Sequence, residues 1–201
     1  VPVGYILEFE IAIQADNDYV TSDGVYVVVG LITEGFESGN FNNYPWSFGG
    51  NADWVIDNTT HYEGSYSAKS GDIGDNEVSA MQIEMCILGS GVISFYRKVS
   101  SEANYDYLRF FIDGVEKAAW EGDENWSEVT FPVTSGVHTF KWSYDKDYSV
   151  STGSDCGWVD YITFPPFGDP NPQLNYMPDS FIFTIGNEIL TNIITLMNEG
   201  T

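Results

Sequence analysis

Asp160 lies in the run Trp158-Val159-Asp160-Tyr161-Ile162-Thr163-Phe164, where alternation puts Trp158, Asp160, Ile162 and Phe164 on one strand face. A carboxylate among such neighbours must be neutralised, hydrogen-bonded or metal-bound, because a bare buried charge is costly. Glu37, beside Phe36, stands at the opposite end of the same aromatic-rich region, and the ends of a domain usually lie close together. Two chemistries suit the pair. They could share a calcium ion, or they could cap backbone N–H groups. Other acidic runs read as solvated. Asp72, Asp75 and Glu77 in GDIGDNE belong to a turn, and Asp16-Asn17-Asp18 lacks the Gly and terminal Glu of a calcium loop.

The aromatic residues raise a second chemistry, since sugars stack on exposed rings. All six tryptophans fall between Phe36 and Phe164. On strands they serve a core; Trp46 and Trp126 fall in or next to loops and are the candidates for carbohydrate. Catalysis has little to stand on. His61 and His138 are the only histidines, and the chain carries no nucleophile elbow, P-loop or HExxH motif. Cys86 and Cys156 are the only cysteines; they could form one disulfide in an oxidising compartment or remain two buried thiols. Asn58-Thr59-Thr60 and Asn125-Trp126-Ser127 match the glycosylation triplet, which arises readily by chance.

Seven basic residues against thirty acidic ones leave a formal charge of −23 over 201 residues. Such a field repels nucleic acid and anionic membrane, so neither is expected as a partner, while divalent cations are attracted. A hydrophobic content of 43% with strong alternation argues against a disordered acidic chain. No apolar run is long enough to cross a membrane as a helix. The chain starts at Val1-Pro2 without a signal peptide, which suggests a mature or excised piece.

These side chains need strands to position them. In Gly91–Phe111, Ile93, Phe95 and Val99 share one face while Ser94, Tyr96 and Lys98 take the other. Leu108, Phe110 and Ile112 then alternate with Tyr107, Arg109 and Phe111. Asp113-Gly114 supplies a hairpin turn. Further strands are expected at Trp54–Asp57, Tyr66–Ser70, Val78–Leu88, Lys117–Glu121, Ser127–Val133, Val137–Tyr144 and Gly157–Phe164. Nine strands with no helical period predict a two-sheet jelly roll over residues 34–166.

The flanks have a different texture. Tyr5–Ile13 and Val25–Leu31 read as strands separated by a polar loop; after the Pro-rich stretch behind Pro165-Pro166 come Ser180–Ile185 and Ile189–Met197. The terminal NEGT is a turn with no following strand, and VPVGYILEFEIAI is a strand with no lead-in. Residues 1–33 and 167–201 are therefore expected to be the two parts of one immunoglobulin-like sandwich with the jelly roll inserted between them. Completed between copies, by strand addition or across a peptide bond, that sandwich would give a head-to-tail filament or tandem-repeat adhesin.

The motifs ISFYRKVSSEANYDYLRFFIDG and GSDCGWVDYI, with the opening FESGNFNNYPWSFGGNADWVIDN, resemble bacterial extracellular jelly-roll modules. These are the MAM- and concanavalin-like sandwiches and the cleaved-adhesin modules of secreted bacterial peptidases. The resemblance covers about residues 34–166. It implies a non-catalytic, cell-surface or extracellular module, often in tandem copies, with calcium held by carboxylates at positions matching Glu37 and Asp160. Many relatives carry Asp-Asp where this chain has Asp160-Tyr161. The chain is thus expected to be an all-β, non-enzymatic structural or adhesive module whose partners are its own copies. The alternative is a carbohydrate-binding module of a secreted enzyme.

Overall fold

The computed structural model describes residues 32–168 in full, together with the strand backbones Tyr5–Ala15, Tyr19–Val29, Phe183–Ile185 and Glu188–Leu190. Among the described residues there is no helix. The chain divides into two compact units, Val1–Gly168 and Asp169–Thr201.

Tyr5–Ala15 (β1) and Tyr19–Val29 (β2) form a two-stranded antiparallel sheet, in register from Tyr5 opposite Val29 to Ala15 opposite Tyr19. The stretch read as a polar loop is therefore largely ladder. Pairing is made by the backbone, and Tyr19, Val20 and Thr21 are good strand formers whatever the polarity around them. The Asp16-Asn17-Asp18 cluster itself lies outside the described residues.

The sandwich is built from Ile32–Glu34 (β3), Ser47–Gly50 (β4), Val55–Asp57 (β5), Ser67–Lys69 (β6), Val78–Ile87 (β7) and Gly91–Ser100 (β8). Tyr107–Ile112 (β9), Val115–Trp120 (β10), Asp123–Val133 (β11), Gly136–Asp145 (β12) and Cys156–Phe164 (β13) complete it. The front sheet runs β11-β8-β13-β6-β5, with β3 also paired to β13; the back sheet runs β10-β9-β12-β7-β4. All pairs are antiparallel. This is the two-sheet all-β sandwich that the alternation predicts. The strands β3 and β4 are too short to show a pattern, and β3 straddles the boundary drawn at residue 33/34, with Ile32 in the sandwich core.

β8 and β9 sit in opposite sheets and face one another. Ile93, Phe95 and Val99 from β8 and Leu108, Phe110 and Ile112 from β9 are buried. Phe95 meets Phe110 edge-on at 4.9 Å between ring centroids and Trp142 at 5.3 Å. Asp113-Gly114 turns β9 back into β10 with positive φ at both residues (53° and 74°), the two-residue turn whose twist suits a hairpin. Arg97 interrupts the apolar row; its guanidinium pairs with Glu124 and lies 5.0 Å from the Trp120 ring centroid.

The sequence-based alternation fails at one place in β13. A bulge between Asp160 and Thr163, with Tyr161 at φ 46°, shifts the phase of the strand. Val159, Ile162 and Phe164 enter the core, whereas Trp158 and Asp160 are paired with Lys98 and Tyr96 on the outer face of the front sheet. Asp160 does not share a face with Ile162 and Phe164, as uninterrupted period two would require.

Cys86 on β7 and Cys156 on β13 lie in different sheets, and both are free thiols. In the second unit, Phe183–Ile185 (β14) pairs with Glu188–Leu190 (β15). The Pro-rich stretch from Asp169 onward, most of Ile189–Met197 and both chain ends lie outside the described residues.

Candidate functional site

Although it sits on an outer face, Asp160 is fully buried, because the connection from β5 to β6 folds back over the sheet. Its Oδ2 accepts the backbone N–H groups of Tyr62 (2.8 Å) and Glu63 (3.1 Å), and its Oδ1 accepts that of Tyr161 (2.6 Å). Burial pushes its carboxyl up to about 6, against the lowering effect of these three donors, and the charge of Glu37 adds to the rise. Glu37 is the second clamp on the same loop. Its Oε1 accepts Ser65 N–H and Tyr66 N–H at 3.0 Å, and Oε2 shares the Ser65 donor. The two carboxylates therefore hold four backbone N–H groups of one connection. A Cβ on Gly64, at φ 65°, would fall 2.3 Å from the Glu37 carboxyl carbon, so only glycine lets the loop come this close.

Glu37 and Asp160 are neighbours: a Cβ placed on Gly35 would lie 3.8 Å from Glu37 Cγ and 4.0 Å from Asp160 Oδ1. Glu34 joins them. It is buried, its Oε1 accepts Phe36 N–H at 2.6 Å, and its Oε2 has no hydrogen-bond partner. Asn43 and the Trp46 indole approach Glu34 without completing a bond to that oxygen. As a calcium cage the group fits poorly. Backbone donors already hold all four oxygens of Glu37 and Asp160. The cluster of three acidic side chains whose ligand atoms lie within 4.8 Å of one another is elsewhere among the described residues.

What the clamped loop carries is aromatic. Tyr62 lies flat on Tyr96 of β8, with centroids 3.4 Å apart and planes 10° from parallel. Trp126 stands edge-on to Tyr62 at 6.3 Å, and Tyr161 edge-on to Tyr96 at 6.5 Å. A bulge between Glu124 and Ser127 sets Trp126 out of the β11 ladder. Tyr62 is 45% exposed, and both Tyr96 and Trp126 are partly exposed. Three strands and one loop thus converge on an accessible patch of rings on the front sheet.

The other loop tryptophan is placed differently. Trp46 packs against Trp142 (5.8 Å), Phe36 (5.9 Å) and Phe41 (6.5 Å) at the margin of the core, and its indole nitrogen is buried. Trp46 is half-buried and lies apart from the Tyr62/Tyr96/Trp126 rings, with the core aromatic residues as its ring neighbours. Tyr62 and Tyr96 are absent from the sequence-based site because nothing local says that HYEGSY folds over a sheet. The Gly-bearing loop between two short strands, opposite an outward tyrosine, is the nearest signal. Glu34 was hidden at the end of a three-residue strand.

The fold is that of an antiparallel β-sandwich of jelly-roll type. It is similar to the K1 cleaved adhesin domain of Lys-gingipain from Porphyromonas gingivalis W83, with a TM-score of 0.50 at 12% identity, covering 67% of this chain and 97% of that domain. TmCBM61, solved with β-1,4-galactotriose, gives 0.49 at 16% identity, covering 66% of this chain and 94% of its own. The CBM22-1 xylan-binding domain of Paenibacillus barcinonensis Xyn10C gives 0.47 at 14% identity, with 66% and 90% covered. At 12% identity the likeness to the adhesin domain is one of fold. No family model matches the chain, and neither does any curated protein.

Proposed function

We propose that the sandwich is a non-enzymatic extracellular binding module that takes a glycan on the Tyr62/Tyr96/Trp126 patch. The observation that carries this reading is the exposed tyrosine stack, held in place by two carboxylates that cap the loop beneath it. Pyranose rings present flat C–H faces that pack on such aromatic faces, and a bound sugar loses little by leaving water when its hydroxyls stay at the rim. The surrounding polar groups suit hydroxyls: Glu128 lies opposite Tyr96 across the β11–β8 pair. The strongly negative surface favours a neutral glycan over a sulfated or uronic one. Screening the full chain on a glycan array should give binding to neutral oligosaccharides; an empty array would remove the proposal.

A second reading keeps the filament or tandem-repeat unit. The observation in its favour is that β1–β2 and β14–β15 each form a sheet of only two strands among the described residues. A lone hairpin is marginally stable in water, and its edges invite a further strand. Immunoglobulin-like completion between copies would supply one. Electron micrographs of the concentrated full chain should then show filaments with one subunit per repeat. A monodisperse monomer would leave binding as the module's role and remove assembly.

A further inference from the structure

We propose that Glu102, Asp106 and Asp147 form a calcium site that ties the β8–β9 connection to the loop after β12, apart from the glycan patch and from Glu37 and Asp160. The three carboxylates come from two loops, and their ligand oxygens all lie within 4.8 Å of one another. Carboxylates gathered on an acidic surface are not a site in themselves. The distinguishing feature here is Asp106, which is fully buried. Its Oδ1 accepts Asp147 N–H at 2.9 Å, while its Oδ2 is buried with no hydrogen-bond partner, and the carboxylate lies within the cluster. A buried carboxylate oxygen left bare is costly unless something positive meets it.

The nearest protein cation does not meet it. Lys146 Nζ stands 3.9 Å from Asp106 Oδ2, beyond hydrogen-bond reach, and is taken up by Asp155 and by Ser151 Oγ at 2.6 Å, with Asp75 at 3.8 Å. One ammonium is thus shared among three carboxylates, Asp75, Asp106 and Asp155. Neither Glu102 nor Asp147 has a cationic partner within ion-pair distance among the described residues.

Three carboxylates with no nitrogen or sulfur donor select a hard cation. Glu102 and Asp147 are partly exposed, so water can complete the shell, and donors from two irregular loops suit the variable coordination of calcium better than the strict octahedron of magnesium. The ion would pin together the 101–106 connection and the 146–155 loop. It would also draw in the turn before β7, because Asp147 O accepts Asn76 N–H at 2.5 Å and Glu77 O accepts Lys146 N–H at 3.1 Å.

The test is calorimetric titration of calcium chloride into the metal-free full chain at about 150 mM salt, where diffuse attraction to the surface is screened. One saturable site is expected, with a dissociation constant at or below about 1 mM as in extracellular modules. Glu102→Gln and Asp147→Asn, both at partly exposed positions, should each weaken it at least about tenfold, while Glu37→Gln leaves it unchanged. Asp106→Asn should abolish it, with far-ultraviolet circular dichroism checking the fold. Magnesium should compete poorly. Absence of saturable binding, or a site indifferent to both Glu102→Gln and Asp147→Asn, would overturn the proposal.

Discussion

At the scale of single residues, Asp160 joins fold and site, and its titration shows what that arrangement costs. Burial raises its folded-state value to about 6, whereas an unfolded aspartate titrates near about 3.9. The folded form therefore binds the proton more tightly. The stabilisation from that proton is fully present below about pH 4 and is lost as the pH rises through about 6. The difference corresponds to on the order of 3 kcal/mol between acid and neutral conditions. Denaturant unfolding should show this group opposing the usual acid loss of stability between about pH 7 and pH 4. Asp160→Asn should remove that component and so make the variant relatively more acid-sensitive than the parent. An identical pH profile for the two proteins would mean that Asp160 is already ionised in the folded state well below pH 6.

At the scale of elements, the β5–β6 connection decides whether the patch exists. Residues 58–66 contribute few core side chains; Glu37 and Asp160 hold them by four backbone N–H groups. Gly64→Ala would both force a strained positive φ and strike the Glu37 carboxylate, so a loss of at least about 1 kcal/mol is expected. Because the damage is local, amide exchange at Tyr62, Glu63, Ser65 and Tyr66 should accelerate while β8 and β12 stay protected. Uniform acceleration across the sandwich would instead place Gly64 in the global fold. The elements also show how far a sequence can be read. The pairing of apolar faces on β8 and β9 was legible because alternation reports burial directly. The bulge at Tyr161 was not, because a one-residue phase shift leaves composition untouched and reverses which side chains share a face. The clamps were half legible. Glu37 and Asp160 could be brought together from their places in the chain, but a capped loop and a metal pair look alike until the N–H donors are seen. Tyr62 and Tyr96 are ninety-eight and sixty-four residues from Asp160; no local pattern reports such a convergence.

At the scale of the whole molecule, the sandwich holds together without a covalent staple. Cys86 and Cys156 are free, and burial pushes the Cys156 thiol up to about 12, which keeps it protonated and unreactive at neutral pH. Alkylation of the native protein should spare Cys156, and alkylation after unfolding should label both. An intact mass two hydrogens below the reduced value would contradict the structure. The chain's strong negative charge acts at the same scale. It works against close approach of copies at low salt, so any filament should assemble more readily as ionic strength rises.

The proposed sugar site is the ring patch on the front sheet. The most direct measurement is calorimetric titration of the strongest glycan-array ligand into the parent protein, Trp126→Ala and Tyr62→Ala. Trp126 lies outside the buried core and at a bulge, so its removal should leave the melting temperature within a few degrees. Affinity should fall about five- to thirtyfold in each variant, as expected when a stacking ring worth about 1–2 kcal/mol is lost. Unchanged affinity in both variants, with the fold intact, would show that the glycan binds elsewhere or that the patch is only a stabilised loop.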